Sequence, residues 1–155
     1  MRKRGVTLVE LVVVMAIIAI GAAFVAPNIG AWIPNYRLRS ASRDVTSALR
    51  MAQMKAISSN REYQVSFNAG SHILWYNSGT TATPAWTMDG TAEELPKGVL
   101  ISGITFPACP APVSGNCAQF NPNSTSSTGS ITLTNTKGAT KRITLTTSTG
   151  KVNVN

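Results

Sequence analysis

Charged side chains are scarce in this sequence, at 13% of residues, and acidic ones scarcer still, with 6 Asp and Glu against 14 Lys and Arg. Histidine occurs once, at His72, and cysteine twice, at Cys109 and Cys117. A tetrahedral metal site built from Cys and His therefore lacks ligands. There is no glycine-rich phosphate loop, no Ser or Cys nucleophile signature and no zinc spacing. The carboxylates Asp44, Asp89, Glu93 and Glu94 show no pairing tied to a base or a metal ligand. His72 falls in a strand-like run, where it reads as a solvated or internally satisfied side chain. These absences argue against an enzyme, a cofactor, a metal and a small-molecule substrate.

What is present is uneven. The formal charge is +8, of which Arg2, Lys3 and Arg4 supply three; the remainder has 11 basic residues against 6 acidic, a net of +5. That excess suits solubility, and also nucleic acid or anionic lipid. Seven residues separate Cys109 from Cys117 in "CPAPVSGNC", two prolines and a glycine among them, which suits a compact loop. A structural disulfide there requires an oxidising compartment; the other reading is a reduced pair brought near one another by sequence alone.

The longest apolar stretch lies at the N-terminus. From Leu11 to Ile33 there are 23 consecutive uncharged residues, most of them apolar. Read as a helix, Val6 to Ala26 extends about 32 Å at 1.5 Å per residue, enough to cross a hydrocarbon core. It is apolar around its circumference, which disfavours lying on a membrane surface. Pro27 ends or bends this helix, and Trp32 falls at interface depth. Glu10 is the exception, a carboxylate inside the apolar run, where insertion costs a few kcal/mol, roughly 3 by translocon scales. Flanking charge does not orient the span, with Arg2, Lys3 and Arg4 on one side and Arg37, Arg39 and Arg43 on the other. The short tail and the cysteines place the C-terminal domain outside the cytoplasm.

"RKRGVTLVELVVVMAIIAI" resembles the class III signal of type IV pilins and type II secretion pseudopilins. The resemblance implies cleavage by prepilin peptidase after Gly5, methylation of the new N-terminus at Val6, and a filament-assembly role for Glu10. Pro27 matches the helix-bending proline of many members. Glu10 would pair with the freed amine of an adjacent subunit. At 4 Å and an effective dielectric near 20 such a pair is worth about 4 kcal/mol gross, comparable with the insertion cost.

Beyond Pro34 the pattern becomes amphipathic. Leu38, Ala41, Val45, Ala48, Leu49, Ala52 and Ala56 follow helical spacing, with Arg39, Arg43, Arg50 and Lys55 mostly off that stripe, so a helix is expected over Tyr36–Ser58. "REYQVSF" and "HILWY", joined by "NAGS", predict a hairpin. "GVLISGITF" predicts a strand with a bulge at Gly103. Ile131 and Leu133, Ile143 and Leu145, Val152 and Val154 alternate with polar residues and predict a three-strand meander whose apolar face covers the helix stripe. The stretches "NSGTTATPAWTMDGTAEELPKG" and "PNSTSST" read as loops.

"SALRMAQMKAISSNREYQVSF", "FNPNSTSSTGSITLTN" and "TGKVNV" resemble the GspH/FimT type of minor pilin and pseudopilin. The expected fold is α+β: a long N-terminal helix, half transmembrane and half amphipathic, packed on an antiparallel C-terminal β-sheet domain. The expected parts are a leader over 1–5, a membrane and filament-core helix over 6–34, and a periplasmic globular domain over 35–155. The resemblance implies a single-pass protein of the bacterial inner membrane that moves into a filament. Its partners would be prepilin peptidase, other pilins or pseudopilins and an inner-membrane assembly platform, either in a type II secretion system or in a type IV pilus. The alternative is a FimT-like DNA-binding minor pilin, with Lys137, Lys141, Arg142 and Lys151 as the phosphate contacts. Here "GKVN" stands where that branch carries arginines, and lysine offers a point charge rather than a bidentate fork.

Overall fold

The computed structural model describes residues 6–147 and 150–155, without the side chains of 24–29 and 31. It is one long helix, α1 (Leu8–Ser59), followed by nine strands. Two compact units divide the chain between Ile33 and Pro34.

In the first unit, α1 begins two residues later than the apolar run. Thr7 caps it: the Glu10 backbone N–H donates to Thr7 Oγ1 (3.3 Å), and Leu11 N–H donates to the Thr7 carbonyl (3.2 Å). This is half of a Thr-x-x-Glu capping box, with Glu10 in the first turn at the positive end of the helix dipole. The helix does not end at Pro27. A proline forfeits one backbone hydrogen bond, but its φ is helical and the flanking turns carry the element. Among the described residues no helix is long and apolar enough to cross a membrane. The stretch with described side chains stops at Ala23, about 24 Å of helix, while the apolar run of the sequence continues. The expected span over 6–34 therefore rests on sequence.

In the second unit, the stripe predicted for α1 is the buried one, apart from Ala48, which is half-buried at its border. Leu38, Ala41, Val45, Leu49, Ala52 and Ala56 are all buried. The helix closes with a Schellman motif, in which Asn60 takes a left-handed φ of 52°, Asn60 N–H donates to the Ile57 carbonyl and Arg61 N–H to the Ala56 carbonyl. Asparagine tolerates that conformation, so the chain turns sharply into the first strand.

The strands form two antiparallel sheets. In the first, β1 (Tyr63–Asn68) pairs with β2 (Ser71–Asn77) on one side and with β6 (Asn116–Phe120) on the other. Two short strands, β3 (Trp86–Met88) and β4 (Glu93–Glu94), pair with the far edge of β2. The second sheet has the order β5 (Val99–Ile104), β7 (Gly129–Asn135), β8 (Thr140–Thr146), β9 (Lys151–Val154). The hairpin, the register shift between Ile101 and Gly103 and the meander are all present as the sequence predicts. β3, β4 and β6 are additions: the first two lie in stretches read as loop, and "NCAQF" carries no alternation.

The reason β6 hides is that it is buried on both faces. Cys117, Ala118 and Phe120 are all buried, so no polar face marks the strand. Phe67, Phe120, Ile131, Leu133, Ile143 and Leu145 from both sheets share one core with the α1 stripe. The back of the first sheet is covered by a smaller cluster of Trp86, Val113 and Cys117, with Trp75 and Cys109 against it. Trp75 Nε1 donates to Ser66 Oγ there (2.9 Å). Close approach also selects glycine at 129, where a Cβ would lie 2.3 Å from the Phe106 ring.

Cys109 and Cys117 are bonded, with Cα atoms 5.0 Å apart, and the bridge ties the loop before β6 onto the strand itself. Replacing both cysteines with serine should lower the unfolding free energy by about 2–3 kcal/mol, the chain-entropy value for so short a loop. Chemical denaturation of both chains under non-reducing conditions measures this; coincident midpoints would show that the bridge contributes nothing.

Candidate functional site

Three regions carry the residues singled out from the sequence. The N-terminal one is chemically simplest. Gly5 and the rest of the 1–5 leader lie outside the described residues. Val6 is exposed, as are Leu8, Val9, Leu11, Val12, Val13, Val14, Met15, Ile17, Ile18 and Ile20. In this unit the described apolar side chains have no covering element. So large an uncovered apolar surface is unusual on a soluble monomer and marks contact with lipid or protein. Glu10 is exposed in the same stretch, on the first turn of α1.

The four basic residues proposed as a nucleic-acid patch are distributed differently from that expectation. Along β8, Lys141, Ile143 and Leu145 alternate with Arg142, Thr144 and Thr146, and only the first set faces α1. Arg142 points the other way and donates to Ser130 Oγ from Nε (3.2 Å) and Nη2 (3.0 Å). Lys151, paired in register with Thr146, shares the outer face with Arg142 but stands four ladder positions away, about 13 Å. Lys137 is in the β7–β8 turn, where Asn135 Oδ1 accepts from the N–H groups of Lys137 and Ala139. These residues do not converge on one surface.

Lys141 instead joins residues of α1 that lie off the predicted apolar stripe. Arg39, Ser42, Arg43, Thr46, Ser47 and Arg50 of α1, with Lys141 and Val154, line a cleft of about 590 Å³. Positions 39, 43, 46 and 50 follow the i, i+4, i+7, i+11 rule, so the helix sets three guanidinium groups in one row beside the buried stripe. That spacing was legible as a second, basic stripe. Neither ion pair found among the described residues involves these arginines or Lys141.

On the opposite flank of α1 a second cleft, about 420 Å³, is bordered by Asp44, Met51, Lys55, His72, Asp89 and Glu93. Lys55 Nζ donates to Asp89 Oδ2 at 2.8 Å, a partly exposed pair worth no more than about 1 kcal/mol. His72 is buried, its ring 6.4 Å from that of Phe67. Its Nε2 lies 3.1 Å from Glu93 Oε2, yet neither ring nitrogen makes a well-aligned hydrogen bond, so the contact is electrostatic. Among the described residues no group of three or more His, Cys, Asp or Glu is placed to hold a metal.

Burial holds the His72 pKa below its ordinary 6.5, against the opposing pull of Glu93 and, behind it, Asp44. The unfolded chain therefore takes up this proton at a higher pH than the folded one. Stability contributed by neutral His72 is complete above about pH 6.5 and falls as pH drops toward the folded-state pKa. Urea midpoints measured between about pH 7 and pH 5 should decline, and a His72→Gln chain should decline less steeply. Equal slopes would show that His72 is not the proton acceptor.

The comparisons with known proteins agree with this architecture. The family model described as "Type II transport protein GspH" matches residues 41–150, and the one described as "Prokaryotic N-terminal methylation motif" matches residues 1–26. The solution structure of E. coli GspH superposes with a TM-score of 0.63 at 14% identity, covering 78% of this chain and 89% of that one. The minor pseudopilin EpsH from the Type 2 Secretion System of Vibrio cholerae does so with a TM-score of 0.59 at 12% identity, covering 77% and 96%. At such identities the superpositions speak for the fold. Among curated proteins none matches. Since the GspH match spans well over half of the sequence, from the middle of α1 to the turn before β9, the chain belongs to the GspH family of type II transport proteins.

Proposed function

We propose that this chain is a minor pseudopilin of a type II secretion system, a structural subunit and not an enzyme. The observation that carries the reading is a conjunction: a GspH-family domain follows a methylation motif and a helix whose apolar side chains are uncovered. In this reading residues 1–5 are removed by prepilin peptidase after Gly5, Val6 is methylated, and residues 6–34 hold the subunit in the inner membrane. The domain over 35–155 lies in the periplasm, where oxidising conditions suit the Cys109–Cys117 bridge.

Assembly then exchanges lipid for other pseudopilin helices at the inner-membrane platform. Apolar burial gains little in that exchange, because lipid tails are as apolar as leucine. A polar contact has to discriminate the assembled register, and Glu10 is suited to it. Its backbone N–H is engaged by Thr7, while its carboxylate lies one turn from the freed amine of Val6. Paired with the amine of a neighbouring subunit, that carboxylate offsets its own cost in lipid. The DNA-binding alternative is the weaker reading, since Lys137, Lys141, Arg142 and Lys151 do not share a surface.

Co-expression with a prepilin peptidase should yield a chain shortened by residues 1–5 and carrying one methyl group, and Gly5→Val should block both changes. A Glu10→Gln chain should be processed normally but recovered in cross-linked pseudopilin assemblies at least about tenfold less, the equivalent of 1.4 kcal/mol. Mass spectrometry and cross-linking read these outcomes. Full-length mass in the co-expressed wild type would refute processing, and undiminished assembly of Glu10→Gln would refute the pairing.

A further inference from the structure

The arginine row of α1 faces an open sheet edge. β9 is the last strand of the second sheet, with β8 on one side and, among the described residues, no strand on the other. Arg142 and Asn155 exchange both backbone hydrogen bonds, at 3.0 and 2.9 Å. By the alternation of an antiparallel ladder, Thr144 with Asn153 and Thr146 with Lys151 are the next hydrogen-bonded pairs. The N–H and C=O groups of Val152 and Val154 therefore point away from β8, toward the free edge.

The side chains of Val152 and Val154 are in register with Leu145 and Ile143, on the α1 side of the sheet. They line one trough with the helix. It is made of two clefts that share Arg50, one between Arg39, Arg43, Arg50, Lys141 and Val154 and the other between Arg50, Gln53, Gly150 and Val152. Gly150, at a φ of 59°, lets the strand begin against α1, where a Cβ would lie 2.4 Å from Gln53 Nε2. No carboxylate lines either cleft.

Short edge strands are usually blunted by charge or proline. β9 carries its one charge, Lys151, on the outer face; the two residues whose backbone groups face the free edge are valines, and Val154 keeps 43% of its surface exposed. The free edge supplies backbone pairing, the valines supply an apolar floor, and the arginines supply a cationic wall. We propose that this trough binds an extended acidic segment of a partner polypeptide, which adds to β9 as a further antiparallel or parallel strand. Its side chains on the α1 face would pass over Val152 and Val154 and carry their carboxylates to the guanidinium groups of Arg39, Arg43 and Arg50. The proposal goes beyond the assembly of the membrane helices, because every group it uses lies after Pro34.

Fluorescence anisotropy on the full chain in detergent tests this, with a labelled peptide alternating valine and aspartate as the probe. Binding should weaken by about tenfold or more for Arg43→Glu combined with Arg50→Glu, and should fall steeply with salt. Val154→Pro should abolish binding while preserving the fold, since a proline whose N–H faced outward is tolerated on an edge strand. The same peptide with methylated backbone nitrogens should fail to bind the unaltered protein, which tests the edge without any substitution. Absence of binding by the unmethylated probe, equal binding by the methylated one, or tighter binding of a single-stranded thymidine oligonucleotide would each overturn the proposal.

Discussion

The globular part of this protein depends on one seam, where the small-residue stripe of α1 meets two sheets at once. Each sheet has an apolar face, and neither can hide that face against the other's edge. Ala41, Ala52 and Ala56 are fully buried in it, while Leu38, Val45 and Leu49 share one core with Val65 and Phe67 of the first sheet and Ile131, Leu133, Ile143 and Leu145 of the second. Each buried branched side chain contributes about 1.5–3 kcal/mol relative to exposure. Larger residues at the alanine positions would hold the helix off the strands, and smaller ones at 45 and 49 would leave cavities.

That seam also arranges the chemistry. Because the apolar stripe faces the sheets, the polar residues of α1 divide into two flanks. Arg39, Arg43 and Arg50 lie toward β8 and β9, whereas Asp44 and Lys55 lie toward β2 and β4. One flank is uniformly cationic and meets an unpaired strand. The other is of mixed charge, with Lys55 paired to Asp89 and His72 lying against Glu93. The polar tie at the start of the domain is similarly local: Asn135 Nδ2 donates to Asn35 Oδ1 (3.0 Å), and Arg37 donates to the Lys97 carbonyl (3.0 Å). Among the described residues the unit before Pro34 has no such core, and its apolar side chains are exposed.

Much of this was legible from residue order, and the rest was hidden for physical reasons. Period-3.6 spacing from Leu38 to Ala56 and period-2 alternation in the meander each report one buried face, so helix, hairpin and final strands are where the sequence predicts. β6 escaped because burial on both faces erases alternation, and β3 and β4 because three and two residues are too few to carry a period. The end of α1 at Asn60 is a backbone conformation rather than a composition signal. The leader motif is plain in the sequence, and the Thr7 cap lies within the same residues, in a Thr-x-x-Glu pattern that ends at Glu10. The arginine row was visible as spacing, and only the placement of β9 beside it turns three separate guanidinium groups into a surface.

The claim that one helix stripe holds both sheets is open to a direct measurement. Hydrogen exchange of the Val45→Ala chain, followed by mass spectrometry, reports the opening of each strand separately. A shared seam predicts that the amides of β1 and those of β7 and β8 lose protection together and by the same factor, set by a destabilisation of about 1–3 kcal/mol. Loss of protection in one sheet while the other keeps its parental exchange would show that the sheets are held independently, and the account would fail.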